Sequence, residues 1–158
     1  MSEVTTMNSI DDVINFFLSR AAMSPKKLQK LLYYAYSWTL ALLNEGTDGI
    51  KNRLFDEPIE AWVHGPVVRS VYLRFKANGW EDIPIVEGFN ENVFSSEVLD
   101  VLNQVWDEYK EFTGDELETM THREAPWIDA RKGIPIYESC SNRLSDEVIF
   151  KFFSEMAA

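Results

Sequence analysis

The sequence predicts a mainly α, compact helical domain of about six to seven helices with a small β-hairpin or sheet, an α+β arrangement remaining open. Three observations carry this expectation. Apolar residues recur at three- and four-residue steps through most of the chain, serine, threonine and proline stand where those runs begin, and one stretch, "RLFDEPIEAWV", alternates with the two-residue period of a strand.

The elements follow in order. Residues 1–8 read as a flexible tail ahead of a single domain over 9–158. Ser9 is placed to cap a first helix with Ile10, Val13, Ile14, Phe17 and Leu18 inward. Ser24 caps the next, with Pro25 at its first position, where a missing N–H costs nothing. Its apolar stripe, Leu28, Leu31, Leu32, Ala35, Trp38, Thr39 and Leu42, marks it as the central helix. Tyr33, Tyr34, Tyr36 and Trp38 cover more than one face, so at least one tyrosine is expected off the core. The alternation around Asp56-Glu57-Pro58 predicts a small hairpin. Gly65 as N-cap and Pro66 at the first position then predict a helix through Phe75, ending at Asn78-Gly79. After an irregular stretch from Trp80 to Val93, a staple of Phe94 on Leu99 opens a helix with Val98, Leu102, Val105, Trp106 and Tyr109 inward. "TGDE" at 113–116 is a capping box for a short helix to about Thr121. Pro126 is expected to push Ala125 out of helical geometry, with one or two turns over Trp127–Lys132 ending at Gly133. Ser145 caps the last helix.

Composition narrows the function classes. The chain has 158 residues, enough for one well-filled core, and 46% of them are hydrophobic. Its formal net charge of -11 opposes direct binding to a phosphate backbone and favours encounter with a basic protein. The single cysteine, Cys140, excludes an intrachain disulfide and a thiolate-rich zinc site. No window approaches about 18 consecutive apolar residues and no basic-then-apolar leader opens the chain, so a cytoplasmic protein without a membrane partner is expected.

Chemistry-bearing residues are few. His64 sits at the His-Gly-Pro joint, and His122 and Glu124 lie in "THRE". A metal-dependent hydrolase or nuclease would need the fold to bring His64, His122 and Glu124 onto one ion. As a general base, His64 lacks a nucleophile elbow or a phosphate loop to serve. The competing reading is that His64 and Gly65 shape a turn. Trp127 and Arg131, four apart, share a helix face where the guanidinium stacks on the indole or reaches a carboxylate.

Taken together, "KLQKLLYYAYSW", "LFDEPIEAWVHGPVVRSVYLRFK" and "ELETMTHREAPWIDAR" resemble the Panacea domain of the SocA-like antitoxin family, from the first helix to at least Arg131. The resemblance is carried by Lys27, Leu28, Leu31, Tyr33 and Tyr34, then by Leu54, Phe55, Ile59, Ala61, Trp62, Gly65, Pro66, Val67 and Tyr72. In the third motif Thr121, His122, Glu124, Pro126, Trp127 and Arg131 match. Where the family often has tyrosine before Gly-Pro, this chain has His64. The resemblance implies a small, mainly helical, bacterial or phage-encoded (prophage) antitoxin of a toxin-antitoxin system, not an enzyme. It would need no cofactor and would neutralise a cognate toxin by direct protein binding or deliver it to a protease. A basic toxin fits the acidic charge. The residues expected to meet the partner are Tyr33 and Tyr34, the joint and its helix at His64, Gly65, Pro66, Arg69 and Tyr72, and the corner at His122, Glu124, Trp127 and Arg131.

Overall fold

In the computed structural model, which describes residues 5–158, hydroxyl caps start five helices where the sequence marks them. Ser9 accepts from the Asp12 N–H (3.3 Å) to open α1 (Ile10–Arg20), and Ser24 from Lys27 (3.1 Å) to open α2 (Pro25–Leu42). Ser95 caps a later helix (Ser96–Tyr109) through Val98 at 3.2 Å, and Ser145 caps the last (Asp146–Ala157) through Val148 at 3.3 Å. Thr113 and Glu116 form the full capping box of a helix at Gly114–Thr121, with reciprocal bonds of 3.1 and 2.9 Å. Each satisfies a backbone donor that has no partner inside its helix.

The remaining elements complete the order. Short strands β1 (Thr5–Thr6) and β2 (Asn52–Arg53) pair in parallel, and β3 (Glu60–Trp62) and β4 (Gly65–Val67) pair antiparallel. α3 (Arg69–Phe75) follows the hairpin, and the helices capped by Ser95 and Thr113 are α4 and α5. α6 (Ala125–Ala130) and the final helix, α7, end the chain. The class is mainly α, with seven helices and two two-stranded sheets among the described residues.

α2 is the axle. α1, α3, α4, α5, α7, β2 and β4 all pack on it. Its predicted stripe is buried at Leu28, Leu31, Leu32, Ala35 and Thr39, but so are Gln29, Lys30, Tyr33, Tyr34, Tyr36 and Ser37. The expected off-core tyrosine is therefore not found: neighbours on every side leave this helix no solvent face along most of its length. Only its two ends emerge: Pro25, Lys26 and Lys27 are half-buried at the start, and at the other end Trp38 is half-buried and Leu42 44% exposed.

Three boundaries differ from expectation for local reasons. The hairpin lies one piece later, with Glu60↔Val67, Ala61↔Pro66 and Trp62↔Gly65 in register around a turn at Val63-His64. Pro66 fits in a strand because the Ala61–Pro66 pair exchanges no ladder bonds. Ala61 donates outward to Asn142 O (2.8 Å), and the Pro66 carbonyl points outward to Lys30 Nζ (3.2 Å). The helix expected from Pro66 starts only at Arg69, since the Val68 N–H donates to Gln29 Oε1 (2.9 Å) while Gln29 Nε2 donates back to the Val68 carbonyl (3.1 Å). α6 starts at Ala125 rather than Trp127. Proline is harmless in a first turn, and the extended residue is Glu124 (φ -101°, ψ 140°). The tail is tied down from Thr5 onward, where Met7 and Asn8 donate to Arg53 O (2.8 Å) and Leu54 O (2.9 Å). Met1–Val4 lie outside the described residues.

Gly65 has φ +104°, and a Cβ there would lie 2.8 Å from Lys30 Cε and 2.9 Å from Thr121 Oγ1. Gly65→Ala is expected to cost at least about 1–3 kcal/mol from backbone strain alone. Trp127, 5% exposed, should lose about 3–5 kcal/mol on change to alanine. Urea midpoints of both variants against the parent check these values; a loss well under about 1 kcal/mol in either would remove the packing role assigned to it.

Candidate functional site

The hairpin turn puts an aromatic and charged face on the surface. Trp62, Val63, His64 and Arg69, with Ser139–Ser141 opposite, line an open cleft of about 390 Å³. Arg69, at the start of α3, forks onto Glu60 of β3, with Nη2–Oε1 at 2.7 Å and Nε–Oε2 at 3.2 Å. Trp62 Nε1 donates to the same carboxylate at 2.9 Å. Burial alone would raise the Glu60 pKa, but the bonds from Arg69 and Trp62 outweigh it and hold the carboxyl below its usual range. The guanidinium lies 5.5 Å over the Trp62 ring, and Tyr72 meets that ring edge-on at 4.9 Å. His64 is exposed, its Nδ1 3.1 Å from Glu118 Oε2 on α5, and Glu118 also receives Lys26 Nζ at 2.7 Å.

Behind this face lies a buried polar layer. Lys30, 1% exposed, donates to the Pro66 carbonyl, and burial pushes its pKa down to about 7 with Glu118 opposing. His122 is half-buried and stacked on Trp127 (4.2 Å, 25°). Burial lowers its pKa, and its Nε2 has no hydrogen-bond partner among the described residues. Glu124, the extended residue before α6, accepts Tyr33 Oη and Tyr34 Oη at 2.9 Å each, one on each carboxylate oxygen. Burial raises its pKa from 4.5 to about 7 against the pull of those two hydroxyls. Arg131 is 4% exposed, stacks on Trp127 at 5.1 Å and reaches no carboxylate among the described residues. It donates instead to the carbonyls of Ala61 (2.9 Å), Pro135 (3.0 Å), Ile136 (3.3 Å) and Glu138 (2.6 Å).

The expected site residues thus fall into two groups. His64, Arg69 and Tyr72 are at the surface. Tyr33, Tyr34, Gly65, Pro66, Glu124, Trp127 and Arg131 are buried, and His122 is half-buried, so the corner is an internal brace. His64, His122 and Glu124 enter three different environments, and among the described residues no cluster of three or more His, Cys, Asp or Glu side chains is placed to hold a metal ion. Sequence reasoning missed Trp62 as the centre of the face, the Arg69–Glu60 fork and the burial of Lys30. The alternation of Glu60 and Trp62 with Ala61 was a usable signal, since the two must share one face of a strand. Nothing local marked Lys30.

Opposed pH dependences follow from Glu124 and Lys30. The folded chain holds the Glu124 proton more tightly between pH 4.5 and about 7, so this contribution to stability is full below that window and is lost as pH rises through it. It amounts to about 3 kcal/mol. Lys30 works in the other direction: its contribution is full above 10.5 and is lost as pH falls toward about 7. Unfolding free energies at about pH 5, 7 and 10 should show Glu124→Gln flattening the acid limb and Lys30→Met the alkaline one. An unaltered slope in either variant would exclude that residue as its source.

Two of the three comparisons with known proteins give nothing: the chain matches no curated protein and no solved structure. The family described as "Antitoxin SocA-like, Panacea domain" matches residues 28–128, from the first turn of α2 into α6. That span holds the axle, the hairpin with its exposed face, and the Glu124 brace. On this match the chain belongs to the SocA-like antitoxin family, and residues 28–128 are its Panacea domain.

Proposed function

We propose that this protein is an antitoxin that neutralises a cognate toxin in the cytoplasm by direct, stoichiometric binding, with no bond made or broken. The observation that carries the reading is the face built by Trp62, Arg69 and Tyr72. An arginine and two aromatic rings, held by a buried carboxylate and a two-residue turn, are the chemistry that dominates protein interfaces. The layer beneath supports recognition better than turnover. Lys30, Glu124 and Arg131 spend their polar atoms on β4, α2 and the backbone of β3 and the 135–138 loop.

The net charge of -11 favours a basic toxin, since encounter is steered by opposite potentials. An interface of roughly 800 Å² on this partner is enough for tight sequestration.

Co-expression with the product of the adjacent gene tests this. The wild-type chain should relieve that product's toxicity and co-purify with it while leaving its lifetime in cells unchanged. Tyr72 is 40% exposed and its ring meets Trp62 edge-on, so Tyr72→Ala should lower the thermal midpoint only modestly. It should weaken the complex about 30-fold, the loss expected of an interface anchor. His64→Tyr should leave relief intact, because the position supplies a turn. Failure of the wild-type chain either to relieve toxicity or to co-purify overturns the reading.

A further inference from the structure

The surface opposite the hairpin end of α2 carries a second, chemically different feature. Leu42 lies twelve residues beyond Lys30, about 18 Å along the helix. Around it the ends of α2, α4 and α7 enclose an open groove of about 710 Å³. Trp38, Leu42, Val105, Tyr109 and Met156 give it an apolar lining, with Leu42 44% and Met156 48% exposed. Its charged lining is anionic only: Asp107 and Glu108 belong to it, and no lysine or arginine does.

The charge extends beyond the groove. α4 carries Glu97, Asp100, Asp107 and Glu108 and no basic residue. Lys110, just past its end, lies 3.5 Å from Asp107 and offsets that one carboxylate; Glu108 makes no ion pair among the described residues. At the groove end of α7, Glu155 precedes Met156, whereas Asp146, at the far end of that helix, is paired with Arg53 at 3.0 Å.

We propose that this groove docks a cationic amphipathic helix of a protein partner, its apolar anchors on Leu42, Trp38 and Met156 and its lysines or arginines on Asp107 and Glu108. The apolar lining requires a ligand with an apolar face, and the anionic rim requires a positive flank. A second copy of this chain brings like charge to like charge, and an anionic membrane or a nucleic acid is repelled. The site is separate from the Trp62 face and does not rest on the neutralisation reading.

The probe is a fluorescein-labelled synthetic peptide of about 15 residues, with leucine and lysine at helical spacing, and its counterpart with glutamate in place of lysine. Anisotropy with the full chain should show saturable binding of the lysine peptide alone. Amide shift changes in labelled protein should fall on the C-terminal end of α2 and on α4 and α7. Leu42→Ser and Glu108→Lys, both at exposed side chains, should each weaken binding about tenfold or more, a loss of the size expected when one apolar or charged anchor is removed. The proposal is overturned by absence of saturable binding, by equal affinity for the glutamate peptide, by shift changes elsewhere, or by affinity unaltered in both variants. Concentration-dependent self-association through this same face also overturns it.

Discussion

The burial of α2 on every side is the constraint from which the other features follow. A helix buried along its middle has to place most of its polar side chains on internal partners, because an unpaired buried group costs about 1–3 kcal/mol; on α2 the hydroxyls of Ser37 and Thr39 alone go without one among the described residues. Gln29 therefore completes the backbone of Val68, Lys30 takes the Pro66 carbonyl, Tyr33 and Tyr34 share Glu124, and Tyr36 donates to Asp146 at 2.7 Å. Nearer its end Trp38 Nε1 donates to Tyr109 Oη at 3.0 Å, and the Tyr109 ring stacks on Tyr34 at 3.9 Å. These bonds fix where the hairpin, α6, α7 and α4 sit around the axle. Apolar packing alone would hold them close but leave their register looser.

This arrangement explains how one helix serves two surfaces. The bonds from Gln29 and Lys30 hold the hairpin from beneath, so the turn presents Trp62 and Arg69 without mobile support. At the other end the packing runs out, and Trp38 and Leu42 are left in an acidic setting. Gln29, Lys30, Trp38 and Leu42 fall within the family-matched span, whereas α7, one wall of the groove, lies beyond it.

What could be read in the sequence was what depends on neighbours in the chain. Ser9, Ser24, Ser95, Thr113 and Ser145 each act within three residues, and all five caps stand where expected. The hairpin was misplaced because Gly65-Pro66 satisfies the local rules for a helix start equally well. The choice is made by Gln29, Lys30 and Asn142, which are distant in sequence. The same holds for the candidate site. His64, Arg69 and Tyr72 were legible as a joint and its helix, but Tyr33, Tyr34 and Glu124 looked available for a partner because a periodicity shows one stripe and does not reveal how many neighbours surround a helix.

Arg131 fastens the segment from Pro135 to Glu138 through three main-chain oxygens and ties it to β3 through a fourth. The planar fork of a guanidinium lets one side chain serve all four oxygens at once. It also grips atoms that every amino acid possesses. The exposed side chains it displays, Ile136 and Tyr137, are therefore free to be exchanged over generations while the path of the chain beneath them is preserved, giving the molecule a patch of surface on which new preferences can be written.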